Sequence, residues 1–472
     1  MKVRTRYAPS PTGFMHIGNL RTAIFEYLLA RKYDGSFILR IEDTDQERQV
    51  EGAIDFIYKT LELCNITIDE GPNNDKGYGP YIQSERKDIY KKYAEELVEK
   101  GKAYYCFCSE EELNVMRERA NARHKPFLYD GRCSRLSKEK IAENLANGVS
   151  YVIRQKMPKT GVTIVDDIIY GKIKIDNSIL DDQILLKSDG FPTYNFANVI
   201  DDHLMEITHV IRGKEYLDQT AKYNLLYEAF GWEKPIYAHV AMVLGEDGNK
   251  LSKRNGDASF MDLYNSGYLP EAIVNYLSLL GWSPTNNQEL FTMDELIHNF
   301  DEHRISKSSS QYDVKKLRWF NAQYIKKMEE DKYLAWIKKY FTRDVSNKSS
   351  EWVDKLLLIY KDHLNYGEEI NELTANFFID SITLDAEEKE FLDSDPVTKD
   401  VIATFRKEVD SITDWNIDAI NNAINNIKNT LGVKGKLLYM PIRIKASGFM
   451  HGPELADTIY LIGKDTVLER LK

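Results

Sequence analysis

Cysteine is scarce in this chain. Of 472 residues only Cys64, Cys106, Cys108 and Cys133 are cysteines, too few to staple so long a polypeptide, which points to a reducing, cytoplasmic setting. Long apolar runs are missing as well. Nowhere do 18 apolar residues follow one another, and the opening MKVRTRYAPSP has no apolar core behind its basic residues, so neither a membrane span nor a standard secretion signal is expected. A basic surplus is also lacking: 63 Lys and Arg stand against 74 Asp and Glu, a net charge of -11. Any nucleic-acid contact must therefore come from local patches. No internal repeat, low-complexity tract or heptad array stands out, and a monomer is the default expectation.

What is present is ample core material. A hydrophobic fraction of 43% over this length predicts a globular protein of two to five domains. Residues 2 to 8 alternate as a strand, residues 19 to 33 have helical period, and SFILRIED (36 to 43) reads as an apolar strand ending in acids. Strand, helix, strand in so short a span is a βαβ unit of a parallel sheet, with its ligand crevice at the carboxyl ends of the strands. That rule brings the loop at 8 to 18 and the acids at 42 to 45 to one mouth. Beyond Ser109 mixed α and β patterns suggest an insertion, a second set of βα units spans about 190 to 245, and from about 260 nearly everything has helical period.

Two stretches carry chemistry. RYAPSPTGFMHIGN (6 to 19) puts a polar, glycine-bearing loop at a strand-to-helix junction, where unpaired N–H groups and the helix dipole suit phosphate. There Gly13 and Gly18 would let a ligand approach the backbone, and His16 adds an imidazole donor. An ordinary proline-rich turn is the competing reading. GEDGNKLSKRNGDASF (245 to 260) concentrates Lys250, Lys253 and Arg254 with Ser252 in a glycine-flanked loop able to neutralise phosphate oxygens, against the alternative of a solvated basic turn.

Together HIGN at 16 to 19 and KLSKR at 250 to 254 resemble the two signatures of class I aminoacyl-tRNA synthetases. APSPTG, RIEDTD, YDGRC, LLKSDGFPTYNFANVIDDH and VIRGKEYL, with the ending GKLLYMPIRIKASGFMHGPELADTIYLIGK, are similar to the bacterial-type glutamyl-tRNA synthetase branch over essentially the whole chain. Asn19 departs from the histidine that ends the first signature. The resemblance implies a Rossmann-type parallel-sheet catalytic domain with an α+β insertion, followed by all-helical C-terminal anticodon-binding domains. It implies catalytic-domain halves at 1–100 and 191–255, and a connective insertion at 101–190 that binds the acceptor end of tRNA. It further implies a stem-contact domain at 256–328 with the KLSKR loop at its start, and an anticodon-binding region at 329–472 in two subdomains.

The implied reaction is glutamate–tRNA ligation, with L-glutamate, ATP accompanied by Mg2+, and tRNA(Glu) as substrates. Positioning and charge stabilisation suffice for it, without a protein nucleophile. By resemblance His16, Lys250 and Lys253 are catalytic. Thr12, His16, Gly18, Glu215, Lys250, Ser252, Lys253 and Arg254 meet ATP. Arg6, Tyr194, Asn198 and Arg212 hold glutamate, a γ-carboxylate demanding guanidinium or hydroxyl donors, while Ser10 and Glu42 take its ammonium.

Cys106, Cys108 and Cys133 can supply three corners of a tetrahedral zinc site. Some bacterial members carry zinc on a similar C-x-C and YDGxC pattern, which makes Tyr129 or His124 the candidate fourth ligand, since Arg135 stands two places after Cys133. A metal-free cluster of reduced thiols is the other reading. Near LIYKDHLNYGEEINEL the family often has an arginine that rejects glutamine anticodons; a gap-free register puts His363 there and leaves open the charging of tRNA(Gln) too. Competing identities are a nucleotidyltransferase with the same histidine signature, a truncated tRNA-modifying paralogue, glutaminyl-tRNA synthetase, and a catalytically inactive tRNA-binding paralogue. The first two leave the helical back half unexplained.

Overall fold

The structure is a computed structural model that describes residues 2–13, 15–249, 251 and 259–472. Lys250, Ser252, Lys253 and Arg254 lie outside the described residues. The chain divides into two compact units, Met1–Met261 with Val274–Asp313, and Asp262–Ile273 with Val314–Lys472.

In the first unit β1 (Arg4–Tyr7) and β2 (Ser36–Leu39) pair in parallel, with Arg6 opposite Ile38, and α1 (Ile17–Lys32) makes the crossover. Both strands are buried throughout. Alternation in RTRY would leave one face wet, but a parallel strand covered on both sides buries every side chain. Its arginines consequently need internal partners: Arg4 meets Glu70 at 2.6 Å and Arg6 meets Asp202 at 3.1 Å.

The segment 101–190 contributes β3 (Ala103–Cys106), β4 (Val152–Gln155), the hairpin β5 (Val162–Asp167) with β6 (Gly171–Asp176), and β7 (Ile184–Leu186). Strands β3, β4 and β7 form a separate antiparallel sheet in the order β3-β4-β7. The hairpin does not stand apart. It joins the parallel strands β8 (His209–Gly213) and β9 (Ile236–Val240) in the order β6-β5-β9-β8, with Asp167 opposite Tyr237. On β8's other side, the Thr208 N–H just before it donates to the Arg4 carbonyl at 3.0 Å, which sets β1 alongside. A short parallel pair, β10 (Val243–Leu244) with β11 (Ser310–Gln311), completes the strands among the described residues of this unit.

The second unit has no strand among its described residues. Helix Val397–Ser411 buries Val401, Phe405 and Val409, and helix Ile417–Leu431 buries Ile420, Ala423, Ile424 and Ile427, each at helical spacing. Asn416 caps the second of these by accepting from Ala419 N–H at 2.8 Å, and Gly432, at φ 66°, ends it. The buried Arg470 ties carbonyls of two segments together, donating to Ala446 and to Asn376 at 2.6 Å each. This is the α/β front and helical back expected of the fold class. Among the described residues no helix is long and apolar enough to cross a membrane.

Candidate active site

His16 is the N-cap of α1. Its Nδ1 accepts from the N–H groups of Gly18 at 3.1 Å and Asn19 at 3.3 Å. Those two bonds assign the ring proton to Nε2, so the imidazole presents a donor on its far side. A Cβ on Gly18 would lie 3.0 Å from His16 Cε1 and 3.1 Å from Nδ1. An added methyl would therefore press on the ring that folds over the helix end, whereas at Gly13 a Cβ would meet nothing within 4 Å. The first turn of α1 carries no acidic residue, so its positive end is not offset by a carboxylate of its own.

This helix end opens on a cleft of about 390 Å³ whose lining includes Arg6, Ser10, Thr12, His16, Gly18, Tyr194, Arg212 and Glu215. Eight of the expected residues therefore share one cavity. Glu42 lines a second cleft of about 720 Å³, which meets the first at Ser10, Thr12, Tyr194 and Tyr216. Asn198 lies behind both as a buried connector. Its Oδ1 accepts from Arg6 Nη2 at 3.3 Å and Arg40 Nη2 at 3.2 Å, and its Nδ2 donates to Glu42 Oε2 at 3.1 Å.

A charged network underlies Arg6 and Glu42. Arg40, fully buried, meets Asp202 at 2.8 Å, Glu42 at 3.0 Å and Asp201 at 3.8 Å, while Arg6 meets Asp202 at 3.1 Å and Glu26 at 3.2 Å. Burial opposes ionisation of Asp202, but Arg6 and Arg40 outweigh it and hold this carboxylate below its ordinary range. Burial wins at Glu42, whose carboxyl is pushed up to about 7 although Arg40 and Arg6 pull it down. It wins further at Glu26, which is raised well above the carboxylate range and whose Oε2 has no hydrogen-bond partner. Glu26 lines the first cleft, and nothing in a helical IFEYL segment marked it in advance.

Arg212 is surrounded differently. Its Nε donates to His239 Nε2 at 3.1 Å, its Nη2 to Thr220 Oγ1 at 2.7 Å, and the guanidinium stands 4.4 Å from the Tyr223 ring centre. Among the described residues it makes no ion pair, although Glu215 lines the same cleft. Asp167, Thr220 and His239 were missed by sequence reasoning; Asp167 and His239 are 72 positions apart, and only strand pairing brings them together.

Away from these clefts, Cys106, Cys108 and Cys133 bring their sulfurs within 4.8 Å of one another. Tyr129 Oη lies 3.3 Å from Cys106 Sγ and 3.2 Å from Cys108 Sγ, and Cys108 and Cys133 sulfurs are 3.6 Å apart. Three thiolates at tetrahedral angles around zinc would be about 3.8 Å apart, so this donor set fits. The exposed His124 is not among the clustered ligands, and of the two candidates Tyr129 is the one brought in. In the second unit His363 ends a short turn, Lys361–His363, exposed, its ring 6.3 Å from that of Tyr360.

A parallel sheet with a helix N-terminus and a basic cleft at its strand ends, matched to a helical second unit, has a counterpart in known proteins. Residues 2–319 match the family described as tRNA synthetases class I (E and Q), catalytic domain, and residues 324–472 match the one described as anticodon binding domain. The class is therefore that of the class I aminoacyl-tRNA synthetases. Glutamate–tRNA ligase of Clostridium acetobutylicum is 48% identical over 481 aligned residues, covering 100% of this chain and 98% of that protein. That of Clostridium botulinum (strain Eklund 17B / Type B) is likewise 48% identical, over 100% and 98%. The crystal structure of a glutamate tRNA ligase from Elizabethkingia meningosepticum in complex with its amino acid superposes with a TM-score of 0.89 at 36% identity, covering 100% of this chain and 98% of that one. The chain belongs to the glutamate–tRNA ligase family. Its full-length match, both halves included, disfavours the competing identities.

Proposed function

We propose that the protein activates L-glutamate with ATP and transfers the glutamyl group to the 3′-terminal adenosine of tRNA(Glu). The observation that carries this reading is Arg212: a buried guanidinium, oriented by neutral groups, in a cleft whose other wall is the positive end of α1. A glutamate side chain supplies the missing carboxylate, and ATP phosphates suit the helix end.

In the first step an α-carboxylate oxygen of glutamate attacks the α-phosphorus of ATP, and the bond to pyrophosphate breaks. His16 donates from Nε2 to the phosphates beside the backbone of α1, Thr12 and Glu215 flank the nucleotide, and Mg2+ accompanies the triphosphate. By the family resemblance Lys250 and Lys253 are assigned to the departing pyrophosphate, and Ser252 and Arg254 to ATP. Arg6, Tyr194 and Arg212 address glutamate from the shared cleft, Asn198 supports them from behind, and Ser10 with Glu42 takes the ammonium. The adenylate then passes its glutamyl group to the tRNA hydroxyl, releasing AMP.

The segment 101–190 is assigned to the acceptor end and 256–328 to the tRNA stem. The region 329–472, in two subdomains, is assigned to the anticodon, where the exposed ring of His363 in place of an arginine supports acceptance of tRNA(Gln) as well. Zinc is assigned to Cys106, Cys108, Cys133 and Tyr129, which would hold it as a structural ion. The protein is assigned to the cytoplasm as a monomer.

Glutamylation of purified tRNA(Glu) and tRNA(Gln) with labelled glutamate tests the reading. Charging of tRNA(Glu) is expected and its absence would overturn the proposal; absence on tRNA(Gln) alone would confine the enzyme to one acceptor.

A further inference from the structure

Three adjacent parallel strands end at the cleft, and each ends on one member of a hydrogen-bonded row. Asp167 closes β5, His239 is next to last in β9, and Arg212 is next to last in β8, directly opposite His239 in the strand register. All three are buried, with 3%, 0% and 7% of their surface exposed.

The direction of each bond follows from the donors. Asp167 Oδ2 accepts from the backbone N–H of His239 at 3.0 Å and lies 2.7 Å from His239 Nδ1. That carboxylate puts the ring proton on Nδ1 and leaves Nε2 as a lone pair. Nε2 then accepts from Arg212 Nε. Thr220 Oγ1 accepts from Arg212 Nη2 at 2.7 Å, and its own hydroxyl has two acceptors in reach, the Tyr216 carbonyl at 2.9 Å and the lone pair of His239 Nε2 at 3.1 Å. The planar guanidinium thereby spends its Nε–Nη2 edge on two neutral acceptors, and its other edge, bearing Nη1, is left for a bidentate carboxylate.

A carboxylate in place of His239 would orient Arg212 equally well but would neutralise it, and a substrate carboxylate would then enter an ion pair already made. One imidazole between Asp167 and Arg212 separates orientation from neutralisation. The same ring, if protonated, would lose its acceptor and face Arg212 with a second positive charge. Burial and the nearby guanidinium hold its pKa below the ordinary histidine value, against the opposing pull of Asp167 and Glu215.

We infer that His239, held in one tautomer by Asp167, is a positioning residue that presents Arg212 as an oriented, unneutralised cation to the side-chain carboxylate of the amino-acid substrate. This rests on the proposed role of Arg212 as that carboxylate's receptor. It also gives the hairpin of segment 101–190 a direct part in the pocket, because Asp167 belongs to it.

The test is steady-state glutamylation of tRNA(Glu) by the full chain and its variants, with glutamate and ATP varied separately. His239→Leu should raise KM for glutamate about tenfold while KM for ATP stays within about twofold. His239→Gln, which keeps an acceptor towards Arg212 and a donor towards Asp167, should recover glutamate KM to within about threefold of wild type. Arg212→Lys separates the two layers of the argument. An unchanged glutamate KM in Arg212→Lys would refute the receptor role itself; a raised KM there with an unchanged one in His239→Leu would refute only the relay. Gln and Leu variants that are equally impaired, or a KM for ATP that rises in parallel, would also overturn it. Should the Leu variant not fold, His239→Asn, too short to span Asp167 and Arg212, takes its place: a tenfold gap from Gln supports the relay and equality overturns it.

Discussion

Arg6 on β1 and Arg212 on β8 line the same cleft from adjacent strands, but Arg6 is held by Asp202, Glu26 and the Asn198 amide, whereas Arg212 is held by an imidazole, a hydroxyl and aromatic rings. Arg6 brings its charge to a site that already balances it. Arg212 makes no ion pair among the described residues, so an entering carboxylate would be its first direct partner of opposite sign. A buried ion pair is costly to break but gains little over an apolar replacement, while an oriented and unneutralised cation gains from a ligand of opposite sign. Two residues of one type in one cavity are thus assigned mainly to different duties, Arg6 to assembly of the site and Arg212 to selection of the substrate.

The largest expected effect separates them on stability. Arg6→Ala removes one of the two buried cations that hold Asp202, leaving only Arg40, and should cost about 3 kcal/mol, read from urea unfolding. Arg212→Ala removes no ion pair and should cost about 1–2 kcal/mol, mainly for the acceptors it leaves unpaired. Equal losses would erase the distinction. Next in size is the kinetic contrast: Arg212→Ala should raise KM for glutamate about 100-fold with little change in KM for ATP, measured by glutamylation at varied substrate.

A pH series sharpens the comparison at the ammonium end of the substrate. The Glu42 carboxyl, raised to about 7 by burial, is protonated below that pH and offers no charge to an ammonium; above it, the ionised form does. Glutamate KM should therefore fall about tenfold from pH 6 to pH 8 in the wild type and stay flat in Glu42→Gln. A slope that persists in the variant would assign the titration elsewhere. The smallest effect is expected at the nucleotide end. Gly18→Ala should raise KM for ATP a few-fold by displacing the His16 ring, while the added helix propensity, about 1 kcal/mol, keeps the fold from weakening.

Much of this site was legible in the sequence because its signals are local. The strand, loop and helix from Arg6 to Phe25 lie in one short stretch, and the helical period that begins just after the loop also puts His16 at the N-terminus of α1. Legibility failed wherever a residue's role depends on a partner brought by strand pairing. Asp167 and His239 carry no local signal, and only the pairing of β5 with β9 sets them side by side. Glu26 failed for another reason: on a helix a glutamate reads as solvent-facing, and only the burial of α1 on both sides makes it part of the cleft wall. The alternation of RTRY was likewise misleading, since both faces of β1 are covered and the arginines are paired internally.

The most direct measurement is competition between glutamate and glutamine for the charging of tRNA(Glu) by the wild type and by Arg212→Gln. If the unneutralised guanidinium is what selects a carboxylate, the variant should lose its preference for glutamate by about 100-fold, chiefly through poorer use of glutamate. An unchanged preference in a folded, active variant would contradict the account.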